Sequence, residues 1–201
     1  MYYILDRVVN EIEISRSNFI TLLIPITSPI EVKGILESLK KEYPKATHYC
    51  YAYVIDNYVK FSDDGEPQGT AGKPMLGVLE SKKINNVLAV VIRYFGGIKL
   101  GAGGLLRAYV NSVSNAIEKA SIYEKKELDV IKLTVPYKYN ESLFYYLNKE
   151  NFVVKEKEFI DKIYVTVSKE NMNIEEINEV FNGNIEIEYL PKEEVFVKVN
   201  K

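Results

Sequence analysis

The sequence predicts an α+β chain built as two domains, residues 1–125 and 126–201. Three observations predict it. Hydrophobic spacing switches repeatedly between a period near two and a period near 3.6, the marks of strands and helices. A charged break, Glu124-Lys125-Lys126-Glu127, interrupts the pattern beyond mid-chain. After that break the periods run strand, helix, strand, strand, helix, strand, which is the ferredoxin-like order.

Each element has its own local reason. Residues 12–26 read as strand, with Phe19, Leu22, Leu23, Ile24 and Ile26 supplying the apolar content. Ser28-Pro29-Ile30-Glu31 announces a helix, with Ser28 as N-cap, Pro29 at the first helical position and Glu31 completing a capping box. Val32, Ile35, Leu36, Leu39 and Tyr43 follow at helical spacing until Pro44 stops them. Ala46 to Ile55 is strand, Asp56-Asn57 turns, and Tyr58 to Phe61 pairs back as a hairpin. A short helix is expected from Pro74 to Ser81. Val87 to Ile92 is apolar without alternation, as a strand buried on both faces would be. A long helix begins beyond Gly104, with Leu105, Tyr109, Val113 and Ile117 on one stripe. In the second domain strands are expected over 128–136, 152–157, 159–168 and 184–199, and helices over 140–150 and 174–182. Asn173 with Glu176 forms a second capping box.

Composition excludes several classes. The longest aliphatic run is far short of the roughly 20 residues that a membrane span needs. Met1 to Arg7 has no basic head followed by an apolar core, so no secretory leader is expected. Cys50 is the only cysteine and His48 the only histidine, which removes internal disulfides and cysteine-rich zinc sites. The expected compartment is the cytoplasm. Residues 1–125 carry 15 basic and 13 acidic side chains, against 11 and 15 in residues 126–201. Lys73, Lys82, Lys83, Arg93, Lys99 and Arg107 are opposed within their stretch only by Glu80, so a local cationic surface is expected on a near-neutral chain.

Two loops carry the chemistry. Gly96, Gly97, Gly101, Gly103 and Gly104 lie between the buried strand and the long helix. Such a loop leading into a helix N-terminus, with Lys99 and Arg107 beside it, suits a phosphate. The P-loop pattern is not met, because Leu100 follows Lys99; the dinucleotide pattern fails at Leu106. The alternative is that the glycines serve only close packing of helix on sheet. The second loop is Asp63-Asp64-Gly65-Glu66-Pro67-Gln68-Gly69-Thr70-Ala71-Gly72. Asp63, Asp64 and Glu66 offer hard oxygen ligands to magnesium, and Thr70 offers a cap or a ligand contact. The other reading is an acidic turn with strict backbone demands and no cofactor.

These residues resemble a known family. Asp63 through Pro67, Gly69 through Gly72 and Pro74, then Arg93-Tyr94-Phe95-Gly96-Gly97-Ile98-Lys99-Leu100-Gly101, Gly103-Gly104-Leu105 and Arg107-Ala108-Tyr109, are similar to the paired signatures of the IMPACT family, whose bacterial members are called YigZ-like. The segment Ala46-Thr47-His48 resembles the family's Ala-Thr-His segment. The resemblance implies a first domain with the ribosomal-protein-like α/β sandwich shared with domain four of elongation factor G. It implies a ferredoxin-like second domain. Eukaryotic relatives regulate translation in the amino-acid-starvation response. The extra N-terminal RWD domain of those relatives is not expected here, so their partnership is not carried over.

Three functional readings stay open. A binding module would dock on RNA, a ribosome or a translation factor through residues 93–107, with no DNA sequence specificity expected. Tyr49, Tyr51 and Tyr53 share one sheet face and would either stack bases or cover the sheet. A phosphoryl-transfer enzyme would hold phosphate at the glycine loop and magnesium at the acidic loop. A thiol enzyme would pair Cys50 with His48, two residues away on the same strand face. The oligomeric state is not set by any of these features.

Overall fold

The computed structural model describes residues 1–199. The described chain forms two compact units, one of Met1–Glu124 joined by Lys198 and Val199, the other of Lys125–Val197. The expected division placed all of 126–201 together; Val199 instead returns to the first unit, where its N–H donates to the Ile122 carbonyl at 2.8 Å.

In the first unit the elements run β1 (Tyr2–Tyr3), β2 (Val8–Ile14), β3 (Ser17–Pro25), α1 (Glu31–Glu42), β4 (His48–Ile55), β5 (Tyr58–Ser62), α2 (Gly72–Ser81), β6 (Ile84–Asn85), β7 (Val87–Tyr94) and α3 (Gly101–Lys119). A five-stranded antiparallel sheet has the order β2-β3-β7-β4-β5. β7 sits at its centre. Val87, Ala89 and Val91 face the core shared with α2 and α3, while Leu88, Val90 and Ile92 face the core shared with α1. Helices on both sides account for the unbroken apolar run.

The strand expected over 12–26 is a hairpin instead. Ser15 and Arg16 both take positive φ, 49° and 62°, and close a two-residue turn between Ile14 and Ser17. That geometry favours Asn or Gly, so Ser-Arg carries no turn signal in the sequence. The helix expected beyond Gly104 begins at Gly101. Three of the five glycines therefore form its first turn rather than a loop. The expected charged break lies inside a strand, β8 (Tyr123–Val135), whose Tyr123 and Glu124 pair with Tyr3 and Tyr2.

The second unit continues from β8 through a 3₁₀ turn (Tyr137–Tyr139) to α4 (Asn140–Lys149), β9 (Val153–Phe159), β10 (Ile163–Lys169), α5 (Ile174–Val180) and β11 (Glu186–Lys198). β10 pairs antiparallel with β8 and β9, and β11 lies on the other side of β8. The spatial order β11-β8-β10-β9 gives this sheet its ferredoxin-like features. Alternate residues Ile131, Leu133, Val135, Ile163, Val165 and Val167 bury against Leu143, Leu147, Ile177 and Phe181. Asn173 Oδ1 accepts the Glu176 N–H at 3.3 Å, capping α5 as its sequence signature requires.

Candidate functional site

The site grows from the end of β7. Arg93 stands opposite Phe19 of β3 and His48 of β4 in the sheet register. Although charged, it is only 4% exposed. A buried cation needs a paired and hydrogen-bonded partner. Glu66, from the loop after β5, supplies it: Arg93 Nη1 donates to Glu66 Oε1 at 2.6 Å. Tyr109 of α3 donates its hydroxyl to the same oxygen at 2.8 Å. The guanidinium also lies 5.3 Å from the Phe19 ring and 5.4 Å from the Phe95 ring, within cation–π range of both. Arg93 Nε has no hydrogen-bond partner.

The acidic loop is held by its own carboxylates. Asp63 accepts N–H bonds from Gly69, Ala71 and Gly72 at 2.8 to 3.1 Å. Asp64 Oδ2 accepts the Tyr49 N–H at 2.6 Å, and its carbonyl accepts from His48 Nδ1 at 2.8 Å. Thr70 Oγ1 donates to the Pro67 carbonyl at 2.7 Å and caps no helix. Gly65 brings its backbone against the His48 ring, and at Gly72 an added Cβ would lie 2.7 Å from the Ser62 backbone. Asp63 and Asp64 thus hold backbone, Glu66 holds Arg93, and among the described residues no three His, Cys, Asp or Glu side chains form a metal-holding group. The loop is held as an acidic turn would be, and the three carboxylates that the magnesium reading needs are engaged within the chain.

The thiol reading also fails on geometry. Cys50 is buried, its Sγ donates to the Asp63 carbonyl at 3.0 Å and lies 3.3 Å from Tyr109 Oη. Burial pushes its pKa up to about 12, so no thiolate is at hand. Tyr49, Tyr51 and Tyr53 turn toward α1 and belong to the core there, with Tyr49 donating to the Tyr43 carbonyl. They cover the sheet on that side. Tyr94 lies on that same side and donates to the Pro44 carbonyl at 3.2 Å.

The structure brings the two loops together around a cavity of about 430 Å³. Its lining includes His48, Glu66, Arg93, Phe95, Lys99 and Gly101. His48 Nε2 stands 3.9 Å from Glu66 Oε2. Gly101 takes φ 68° where α3 begins, a conformation glycine adopts freely. α3 has no side-chain cap, so its first N–H groups keep their anion-binding character. Gly96 has a different role: a Cβ there would sit 1.9 Å from the Arg16 carbonyl oxygen. Its absence lets the β2–β3 hairpin close on the loop, and Gly96 N–H donates to Ser17 Oγ at 3.2 Å.

This contact adds a cation that sequence spacing missed. Arg16 is exposed beside the glycine loop, about eighty positions upstream in the chain. Thr47, whose Oγ1 accepts the Phe95 N–H at 3.0 Å, and Tyr109 were missed as site residues as well. Both had a signal: Thr47 stands beside His48, and Tyr109 ends the signature Arg107-Ala108-Tyr109. Conversely, Arg93 leaves the expected cationic surface, because Glu66 neutralises it. The exposed cations at the site are Arg16, Lys99 and Arg107, and none has an acidic partner among the described residues.

Comparison with known proteins decides the family. The model of the Impact N-terminal domain matches residues 15–117, which contain every site residue named above. The chain belongs to the IMPACT family. It is 38% identical to IMPACT family member YvyE of Bacillus subtilis (strain 168), over 89% of this chain and 85% of that one. It is 42% identical to IMPACT family member YigZ of Escherichia coli (strain K12), over 62% of this chain and 64% of that one. A crystal structure of a hypothetical protein, 30% identical, superposes with TM-score 0.60 over 94% of this chain and 97% of that one. IMPACT membership thus rests on sequence along the chain, and the α+β fold with two sheet-containing parts is shared with a solved structure. Among the described residues no helix is long and apolar enough to cross a membrane.

Proposed function

We propose that this IMPACT-family chain is a translation-associated binding module, contacting RNA, a ribosome or a translation factor through the start of α3. One observation carries the reading: two exposed cations, Lys99 and Arg107, flank an uncapped helix N-terminus, a third, Arg16, lies against the preceding glycine loop at Gly96, and none has an acidic partner among the described residues. Unpaired cations on a near-neutral chain attract phosphate, with an affinity that falls as salt rises. The first unit is read as the ribosomal-protein-like domain found in domain four of elongation factor G, and the second as a ferredoxin-like domain, with the functional boundary near residues 125–126. Support comes from the β3–α1–β4 crossover with β7 between its strands, and from the strand order of the second sheet. The magnesium-dependent enzyme has less support, because the three acids it needs are already engaged.

Co-sedimentation with ribosomes on sucrose gradients, at low and moderate salt, tests the reading. Wild type is expected to associate in a salt-sensitive manner, and Lys99→Ala/Arg107→Ala to lose association at unchanged thermal stability. Full association by the double variant would overturn it, and no association by wild type would remove the ribosome from the reading.

A further inference from the structure

We propose that the cavity at the start of α3 receives one nucleotide of a single-stranded RNA, its base on Phe95 and its phosphate over the α3 N-terminus beside Lys99. The inference rests on reading this surface as a translation-associated contact, and it names the chemistry recognised there.

Phe95 is 45% exposed although it is large and apolar. The Arg93 guanidinium lies 5.4 Å from its ring centroid and is itself fixed by Glu66. The ring is therefore a held platform rather than a loose side chain. Base–aromatic stacking is the ordinary use of such a platform, and it tolerates any base. A duplex presents no free base face to a cavity of this kind.

The phosphate position follows from α3. Its first turn has no side-chain cap, and Lys99 is exposed in the lining. Gly103, in that turn, has no folding reason to be glycine. Its φ is not positive, and an added Cβ would meet only Arg107 Nη1, at 3.8 Å. Glycine is disfavoured within a helix, so its presence at an exposed position suits the close approach of something the chain itself does not supply. Arg93 lines the cavity as well, its side chain 5% exposed and its guanidinium held by Glu66 beside the Phe95 ring. Glu66, the one acid in the lining, has its charge met by Arg93. The volume of about 430 Å³ lies in the usual range for small-ligand sites.

Fluorescence anisotropy with a short fluorescein-labelled single-stranded oligoribonucleotide tests this, with adenosine monophosphate and a duplex of the same sequence as competitors. Wild type is expected to bind the single strand in preference to both. Phe95→Leu is expected to weaken binding about tenfold with the salt slope unchanged. Lys99→Ala is expected to weaken it and lower the salt slope by about one. Gly103→Ala should weaken binding while raising the melting temperature, so its loss of affinity cannot come from misfolding. Unchanged affinity in Phe95→Leu and Gly103→Ala, a preference for the duplex, or equal affinity for the free nucleotide would each overturn the proposal. Ribosome association without oligonucleotide binding overturns it and leaves the broader reading standing. Oligonucleotide binding without ribosome association supports it and narrows the broader reading to RNA.

Discussion

At Glu66 one carboxylate oxygen takes hydrogen bonds from Arg93 and Tyr109 while the side chain stays 3% exposed. Removing it would leave the Arg93 cation buried and unpaired. Breaking a buried pair from one side costs about 3–5 kcal/mol, whereas replacing both partners by apolar groups of similar size is often neutral. Glu66→Ala is therefore expected to lose about that much in urea denaturation, and Glu66→Leu/Arg93→Met to recover most of it. Cys50 gives a pH prediction. Burial raises its pKa from 9.0 to about 12, so the folded state resists ionisation. Its contribution to stability is complete below pH 9 and declines as pH rises toward 12, where the unfolded chain ionises first. Wild type should lose stability over that window relative to Cys50→Ala. Native Cys50 should also react slowly with a disulfide reagent at neutral pH and rapidly in urea.

The same reasoning applies to elements. The Ser28–Glu31 signature does its work at α1, although regular helix starts only at Glu31. Glu31 Oε1 accepts the Thr27 and Ser28 N–H groups at 2.9 and 2.7 Å, while Ser28 Oγ accepts the Ile30 N–H at 3.3 Å. The Thr27 backbone bond, with help from Ser28, holds the Glu31 pKa below its ordinary value. Its stabilisation is thus present above the unfolded pKa and lost as pH falls through the lower folded one. Glu31→Gln is expected to cost about 1 kcal/mol at neutral pH, a difference that vanishes in acid denaturation curves. α1 was legible because its capping residues and apolar stripe are adjacent in sequence. The β2–β3 hairpin was not, because Ser15-Arg16 adopts a turn that its residue types do not advertise. The start of α3 was misplaced because glycines argue locally for loop, and tertiary burial of Leu105, Ala108 and Tyr109 outweighs that preference.

On the scale of the molecule, the first unit buries two core clusters, one on each side of its sheet, and the second unit buries its own. A chain ending at Glu124 is expected to unfold in urea as one cooperative transition, with a modest loss from the missing Val199–Ile122 hydrogen bond. Absence of a cooperative transition would show that the first unit needs the rest of the chain. The sequence by itself determined the fold class, most elements, and the two loops that carry the family's signature, because periodicity, caps and motif spacing are local properties. It could not say which charges remain free. Arg93 and Glu66 are 27 positions apart, and only the pairing of β4 with β7 brings their ion pair under the sheet. Arg16 joins Lys99 and Arg107 only because Gly96 admits the hairpin. Desolvation and close approach are properties of the folded arrangement, so the cationic surface became definite only when the tertiary structure had removed one charge and added another.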